Sequence, residues 1–266
     1  MKPVFFFCIA MYSILNPSTI PLDLEHPELI EGKEFYVTYP KSGTTLLHTI
    51  IQLLTKKELK RINHLESNKS YNRLDLELDF DKPTLFHSHN IKSFHKKIDP
   101  SKNSLIMILR NFKECIPSYK KFSSEELLNS IVLDKGPFKQ YIKNLIYFDT
   151  WANERTKLLI YYEDLISNPE ETIKKIASFY HNQVEDDYLE NLYDNYEDSW
   201  KKCYKSYKKS FPTGRSDGCS LIFHSKDFPS DLVYSMDKHI KITYPHLWEK
   251  YLSRYEYNPV DPENSL

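Results

Sequence analysis

A lysine, a glycine and several hydroxyl residues are concentrated in one short segment, Tyr39-Pro40-Lys41-Ser42-Gly43-Thr44-Thr45. An apolar run at 35–38 leads into it, and apolar residues recur with helical spacing after it, from Leu46 to Leu54. A strand, a turn and a helix start form an anion site, because the first N–H groups of the helix are unpaired and its dipole favours negative charge. Lys41 adds a full positive charge, so the segment predicts a site for phosphate or a related anion.

The order of lysine and glycine in this segment argues against ATP chemistry. The common ATP-binding loop reads G-x-x-x-x-G-K-[ST], with the lysine after the last glycine and a hydroxyl for magnesium. Here Lys41 precedes Gly43, and the first glycine of that pattern is missing. A magnesium-dependent kinase therefore fits poorly. The alternative without a ligand is a plain strand-to-helix turn around a buried glycine.

An arginine at the end of a second strand is a further candidate for phosphate binding. Arg110 follows the apolar run 106–109, and Ser118 lies eight residues later. Arginine offers a planar fork for phosphate oxygens, and a serine on the next helix adds a hydroxyl. By residue type alone, a solvated charge is the more common explanation of an arginine at a strand end. Pro117 is expected to break the helix just before the serine.

Two histidines lie at the end of a third strand-like segment, 83–89. Alternate strand residues point the same way, so the imidazoles of His87 and His89 are expected to face one cleft. An unperturbed imidazole has a pKa of about 6.5, which suits a general base near neutral pH. A histidine in such a place is otherwise a structural residue.

The elements that must position these residues alternate between strands and helices. We predict strands at 34–39, 83–89, 104–109 and 157–162. Helices are predicted at 44–54, 111–121, 124–132, 137–155, 169–180 and 229–252, and a loop or exposed helix at 56–73. This alternation predicts a parallel α/β sheet, and ligands of such sheets bind beyond the carboxyl ends of the strands.

Composition limits the functions open to the chain. Its 266 residues suffice for one large domain, and a net charge of −1 gives no bulk attraction to nucleic acid. The four cysteines lie far apart, which suggests neither a zinc site nor a dense disulfide framework.

The segment 39–45 closely resembles the 5′-phosphosulfate loop of sulfotransferases that use 3′-phosphoadenosine 5′-phosphosulfate (PAPS), especially the cytosolic type. The resemblance covers residues 30–180 well and the last third loosely. It implies a P-loop-NTPase-like three-layer α/β fold with a central, mainly parallel sheet flanked by helices. It also implies PAPS as co-substrate, without a metal. The donor-binding residues it implies are Lys41, Ser42, Gly43, Thr44, Thr45, Leu46, Arg110, Ser118, Tyr162 and Arg215, and the catalytic residues are His89 and Lys41.

In that family Arg110 and Ser118 would hold the 3′-phosphate of the donor, and Tyr162 would lie near its adenine ring. The chain also departs from the family pattern. Leu46 stands where many relatives have a stacking tryptophan, and Arg215 is only a substitute for their late basic segment. His87 stands where relatives carry lysine or arginine, which leaves open which histidine is the base.

The resemblance implies sulfuryl transfer to a hydroxyl or amine of a small-molecule or glycan acceptor. A catalytically degenerate protein that binds PAP or PAPS, and a nucleotide-dependent kinase, are the alternatives. We expect no nucleic-acid partner, no membrane span, and a monomer or homodimer.

Residues 1–19 are either a signal peptide or an apolar N-terminal segment, because the apolar run is too short for a membrane span. We assign 20–257 to the sulfotransferase domain and 258–266 to a flexible C-terminal tail. A cytoplasmic location is expected, or export to a secretory compartment if 1–19 is a signal peptide.

Overall fold

A computed structural model of the protein describes residues 33–61, 84–90, 101–151, 154–180, 187–192, 195–196, 198 and 228–257. The predictions for 1–19, Arg215 and 258–266 lie outside these residues. Within the described part of the chain, no helix is both long enough and apolar enough to cross a membrane.

In the part of the chain that the structure describes, five parallel strands form one sheet in the order β2-β3-β1-β4-β5. They are β1 (Glu34–Thr38), β2 (Leu59–Arg61), β3 (Leu85–Ser88), β4 (Ser104–Leu109) and β5 (Lys157–Tyr161). The inner strands β1 and β4 are buried along almost their whole length, as expected for strands covered on both faces. The prediction of a loop or helix was wrong for β2. This edge strand is short and lacks an apolar run, and within the described residues it pairs with β3 alone.

Among the described residues, seven helices whose two ends are both defined accompany the sheet. They are α1 (Thr44–Thr55), α2 (Phe112–Lys120), α3 (Ser124–Val132), α4 (Gly136–Asp149), α5 (Tyr162–Ser167), α6 (Pro169–Phe179) and α7 (Ser230–Thr243). Short helical turns follow α7 at Pro245–Leu247, Trp248–Leu252 and Ser253–Tyr255. The helix predicted at 229–252 is therefore interrupted, because a residue before proline, here Tyr244, avoids the α conformation.

Pro117 lies inside α2 and does not break it, contrary to the prediction. The helix is held at both ends, which offsets the hydrogen bond that proline cannot donate. The Asn111 side chain accepts from the amide of Lys113 at the start, and the amide of Lys121 donates to the Pro117 carbonyl at the end. Ser118 consequently stays in regular helix.

Alternate residues of the strands belong to two separate hydrophobic cores, one on each face of the sheet. Phe35 and Val37 of β1 pack with α2, α3, α4 and α7, whereas Tyr36 packs on the other face with α1, α5 and α6. The sheet is thus covered by helices on both faces, and the predicted three-layer α/β fold is confirmed.

The topology places the predicted site residues at one edge of the sheet. β1 lies between β3 and β4, and Thr38 at its end is in register with Ile108 of β4. The segments after β1, β3, β4 and β5 therefore leave the sheet side by side, carrying Lys41, His89, Arg110 and Tyr162.

Candidate active site

The anion loop, residues 39–45, makes a tight turn between β1 and α1. Lys41 and Gly43 both have left-handed backbone conformations, with φ of 69° and 96°. The hydroxyl and the amide of Ser42 both donate to the Tyr39 carbonyl, at 2.6 and 3.1 Å, and Ser42 is fully buried. Ser42 therefore shapes the loop, and α1 begins beside it at Thr44, where the first N–H groups of a helix have no partner within the helix.

Gly43 is required for a second reason, a close approach by Tyr162. A Cβ atom on Gly43 would lie 2.5 Å from Cδ2 and 2.9 Å from Cε2 of the Tyr162 ring. Burial raises the pKa of the Tyr162 phenol, against the opposing effect of the Arg110 charge, so the phenol is neutral at ordinary pH. Tyr162 thus acts here through its ring, which closes one side of the loop.

Replacing Gly43 with alanine is expected to destabilise the protein much more than the same change at Gly136. Both glycines have positive φ, which costs an L residue roughly 1–2 kcal/mol. At Gly43, unlike Gly136, the added Cβ would also overlap a ring, which costs about 1–3 kcal/mol more. At Gly136 the added Cβ would meet only the Ser130 hydroxyl, at 3.8 Å. Urea unfolding of both variants measures the difference, and equal losses would contradict the assigned contact.

The hydroxyl of Thr38 joins the anion loop to both histidines. Thr38 Oγ1 lies 2.8 Å from Thr44 Oγ1, 2.9 Å from His87 Nε2 and 3.0 Å from His89 Nδ1. Both imidazoles therefore lie on the same side of β3, against one hydroxyl. The sequence carried no signal for Thr38, whose role depends on the pairing of β1 with β3.

The structure distinguishes the two histidines. His87 is only 5% exposed, and its ring stacks on Tyr36 with 4.4 Å between centroids. His89 is less buried, and its Nδ1 lies 2.8 Å from the Thr38 carbonyl. A carbonyl oxygen only accepts, so we assign the proton of neutral His89 to Nδ1. The nitrogen of neutral His89 without a proton is then Nε2, and this ring is the more exposed of the two.

Two amides of α4 hold the backbone of His89. Gln140 Nε2 and Asn144 Nδ2 donate to the His89 carbonyl at 3.0 and 2.9 Å. Their spacing of one helical turn places them on one face of α4. Sequence reasoning missed both residues, since nothing in the sequence near α4 indicates that it packs against the end of β3.

Arg110 reaches the anion loop. Its Nη1 donates to the Lys41 carbonyl at 3.0 Å, and its guanidinium carbon lies 4.3 Å from the centre of the Tyr162 ring. Glu114, one turn along α2, accepts from Nε at 3.2 Å and from Nη2 at 3.0 Å. The structure therefore brings Arg110, Tyr162 and the loop together.

The positions of the other predicted donor-binding residues, Ser118 and Leu46, give less direct support for that role. Ser118 is half-buried on α2, which also carries the buried ion pair of Lys113 with Asp237 of α7. Leu46 is 1% exposed within the core and offers almost no surface to a ligand. Glu163 accepts from the Asn111 amide, and Asp164 pairs with Arg254, so both make structural contacts.

Among the described residues, no cluster of histidine, cysteine or carboxylate side chains could hold a metal ion. The one described cysteine, Cys115, is buried, and burial raises the pKa of its thiol far above the usual range. This thiol is protonated at neutral pH and is a poor nucleophile.

A family model described as the sulfotransferase domain matches residues 32–226. Similar curated proteins include sulfotransferase 1B1 of Mus musculus, 27% identical over 197 residues, with 64% of this chain and 65% of that protein covered. Sulfotransferase 2A6 of Mus musculus is 29% identical over 180 residues, with 59% and 62% covered. The chain thus spans just under two thirds of the length of these relatives.

Solved structures show the same fold. Mouse sulfotransferase SULT7A1 complexed with PAP has a TM-score of 0.59 at 14% identity, covering 82% of this chain and 86% of that chain. Retinol dehydratase in complex with retinol and PAP has a TM-score of 0.59 at 13% identity, covering 81% and 82%. At this identity the likeness concerns the fold alone.

Proposed function

We propose, from the premise that this chain belongs to the sulfotransferase family, that it transfers a sulfuryl group from PAPS to a hydroxyl or amine acceptor. One observation carries the proposal: the Thr38 hydroxyl connects the candidate base His89 to Thr44, the first residue of the anion-binding helix. A base and an anion site at one strand end are what transfer of an anionic group to a protonated acceptor requires.

The donor would lie across the carboxyl ends of β1 and β4. N–H groups of the first turn of α1, with the hydroxyls of Thr44 and Thr45, would bind the 5′-phosphosulfate. Arg110 and Ser118 would hold the 3′-phosphate, which distinguishes PAPS from ATP. Tyr162 would border the adenine side. Ser42 and Gly43 would act by shaping the loop, and Leu46 by packing beneath it.

In the proposed reaction the acceptor oxygen or nitrogen attacks sulfur in line with the bond that breaks. A new bond to sulfur forms as the bond between sulfur and the bridging oxygen breaks. The acceptor's proton passes to Nε2 of His89. The electron pair of the broken bond stays on the 5′-phosphate of PAP, where Lys41 and the helix N–H groups stabilise the charge.

Binding measurements separate this proposal from the kinase alternative. We expect PAP to bind at least about tenfold more tightly than ATP, because a charge-assisted contact to the 3′-phosphate is worth roughly 1.5–3 kcal/mol. Removing divalent cations with EDTA should leave PAP affinity unchanged. Calorimetry of both nucleotides checks this, and tighter ATP binding that depends on magnesium would favour a kinase.

The burial of Leu46 and the presence of His87 favour one alternative, a protein that binds PAP without turnover. Neither residue supplies what relatives place there, an aromatic surface or a fixed cation. We also propose that the acceptor is a small molecule or a glycan. The proposed location is cytoplasmic or secretory, and the proposed state is a monomer or a homodimer.

A further inference from the structure

Arg110 touches both halves of the proposed donor site. It follows β4, whereas Lys41 follows β1, and the two strands are parallel neighbours. Nη1 of Arg110 donates to the backbone carbonyl of Lys41 at 3.0 Å. Arg110, which is expected to bind the 3′-phosphate, is therefore hydrogen-bonded to the backbone of the loop that would bind the phosphosulfate.

The Lys41 carbonyl belongs to a residue with a strained backbone conformation. Lys41 is not a glycine but has φ of 69°, a conformation that costs an L residue roughly 1–2 kcal/mol. On the other side of the same peptide bond, the Ser42 amide donates to the Tyr39 carbonyl. Arg110 and Tyr39 thus fix this peptide from its two ends, and its orientation sets the path of the chain into α1.

Arg110 is itself held in place. It is 7% exposed, it lies over the Tyr162 ring, and two of its nitrogens donate to Glu114. Tyr162 in turn fits against Gly43 of the loop, where a Cβ would overlap its ring. The guanidinium carries more N–H groups than these three bonds use, so donors remain for a phosphate. Arg110, Tyr162 and the loop form one contiguous unit.

We infer that Arg110 is a positioning residue for the phosphosulfate loop as well as a ligand of the 3′-phosphate, so that the two halves of the donor bind cooperatively. This inference rests on the proposed function. A phosphate that orders Arg110 also orders the Lys41 carbonyl, and by linkage an occupied loop tightens the 3′-phosphate site. Arg110 would then matter even for a nucleotide that lacks the 3′-phosphate.

Adenosine 5′-phosphosulfate, which lacks the 3′-phosphate, tests this directly, with Ser118→Ala as the matched control. Ser118 lies on α2 with no described contact to the loop. Ser118→Ala should therefore weaken the binding of PAPS and leave the binding of adenosine 5′-phosphosulfate unchanged. Arg110→Ala should weaken the binding of both nucleotides, and its affinity for adenosine 5′-phosphosulfate should fall by about tenfold. Arg110→Lys keeps the charge but not the fork, so it should retain part of the PAPS affinity and still lose the loop contact.

Hydrogen exchange of the Ser42 amide tests the loop without any nucleotide. In Arg110→Ala this amide should exchange about tenfold faster than in the wild type or Ser118→Ala, with equal melting temperatures confirming intact folds. Unchanged exchange, or an Arg110→Ala variant that loses affinity only for 3′-phosphorylated ligands, would overturn the inference. If the wild type binds neither nucleotide, the proposed function fails, and exchange at Ser42 alone decides whether Arg110 positions the loop.

Discussion

Replacing His89 with asparagine is expected to lower kcat for sulfuryl transfer by about 10²- to 10⁴-fold, the usual contribution of a general base. Asparagine keeps an N–H near the position of Nδ1, so the bond to the Thr38 carbonyl can persist. It removes Nε2, the only nitrogen that the assigned tautomer leaves able to accept a proton. Steady-state rates with saturating PAPS and acceptor measure the loss.

His87→Asn is the matched control for this prediction. His87→Asn should lose much less activity than His89→Asn, since His87 is buried against Tyr36. The kcat of both variants is compared under the same saturating conditions. A larger loss in His87→Asn would reassign the base to His87.

Replacing Lys41 with methionine is expected to lower kcat by about 10²- to 10³-fold, in the range found for removing one preorganised charge-stabilising group. Lys41 lies in the anion loop with its side chain exposed, beside the start of α1. Charge accumulates on the bridging oxygen as the bond to sulfur breaks. The loss should therefore be larger in kcat than in affinity for PAPS.

Lys56→Met provides the control at the other end of the same helix. Lys56 also has a left-handed backbone, with φ of 57°, so the two substitutions impose the same backbone cost. Its ammonium lies near Tyr188, away from the loop. Lys56→Met should keep the wild-type kcat. Equal losses in the two variants would show that the effect of Lys41→Met is structural rather than electrostatic.

The sequence predicted the anion loop and the strand ends around it well. The segment 39–45 follows the buried run of β1, contains a positive φ at Gly43 and leads into the apolar helix α1, and all three features leave local signals in residue type and spacing. The β4 strand was predicted with its observed ends, because an unbroken apolar run is typical of a strand covered on both faces.

The contacts between segments could not be predicted in the same way. Gln140 and Asn144 hold the His89 carbonyl across about fifty residues of sequence, and Arg110 holds the Lys41 carbonyl across 69. Hydrophobic periodicity indicates which face of an element is buried, but not which polar group lies opposite it. Strand register decides that, and it places Thr38 between both histidines.

Two local predictions failed because packing and hydrogen bonding outweighed propensity. Pro117 lies within α2, whose ends are bonded through Asn111 and Lys121. β2 forms from a charged segment because β3 offers an open edge for pairing. For Ser42, a predicted donor-binding residue, the structure adds a contact that the sequence did not indicate: its hydroxyl donates to the Tyr39 carbonyl.

The central claim, that this site transfers a sulfuryl group, is tested most directly by incubating the wild-type protein with sulfur-labelled PAPS and a panel of phenol, alcohol, amine and glycan acceptors. We predict that label appears on at least one acceptor class, with one PAP released for each sulfuryl group transferred and with transfer by His89→Asn slower by at least about a hundredfold. Tight binding of PAP with label on none of the acceptors would contradict the claim and identify the chain as a nucleotide-binding member of the family without turnover.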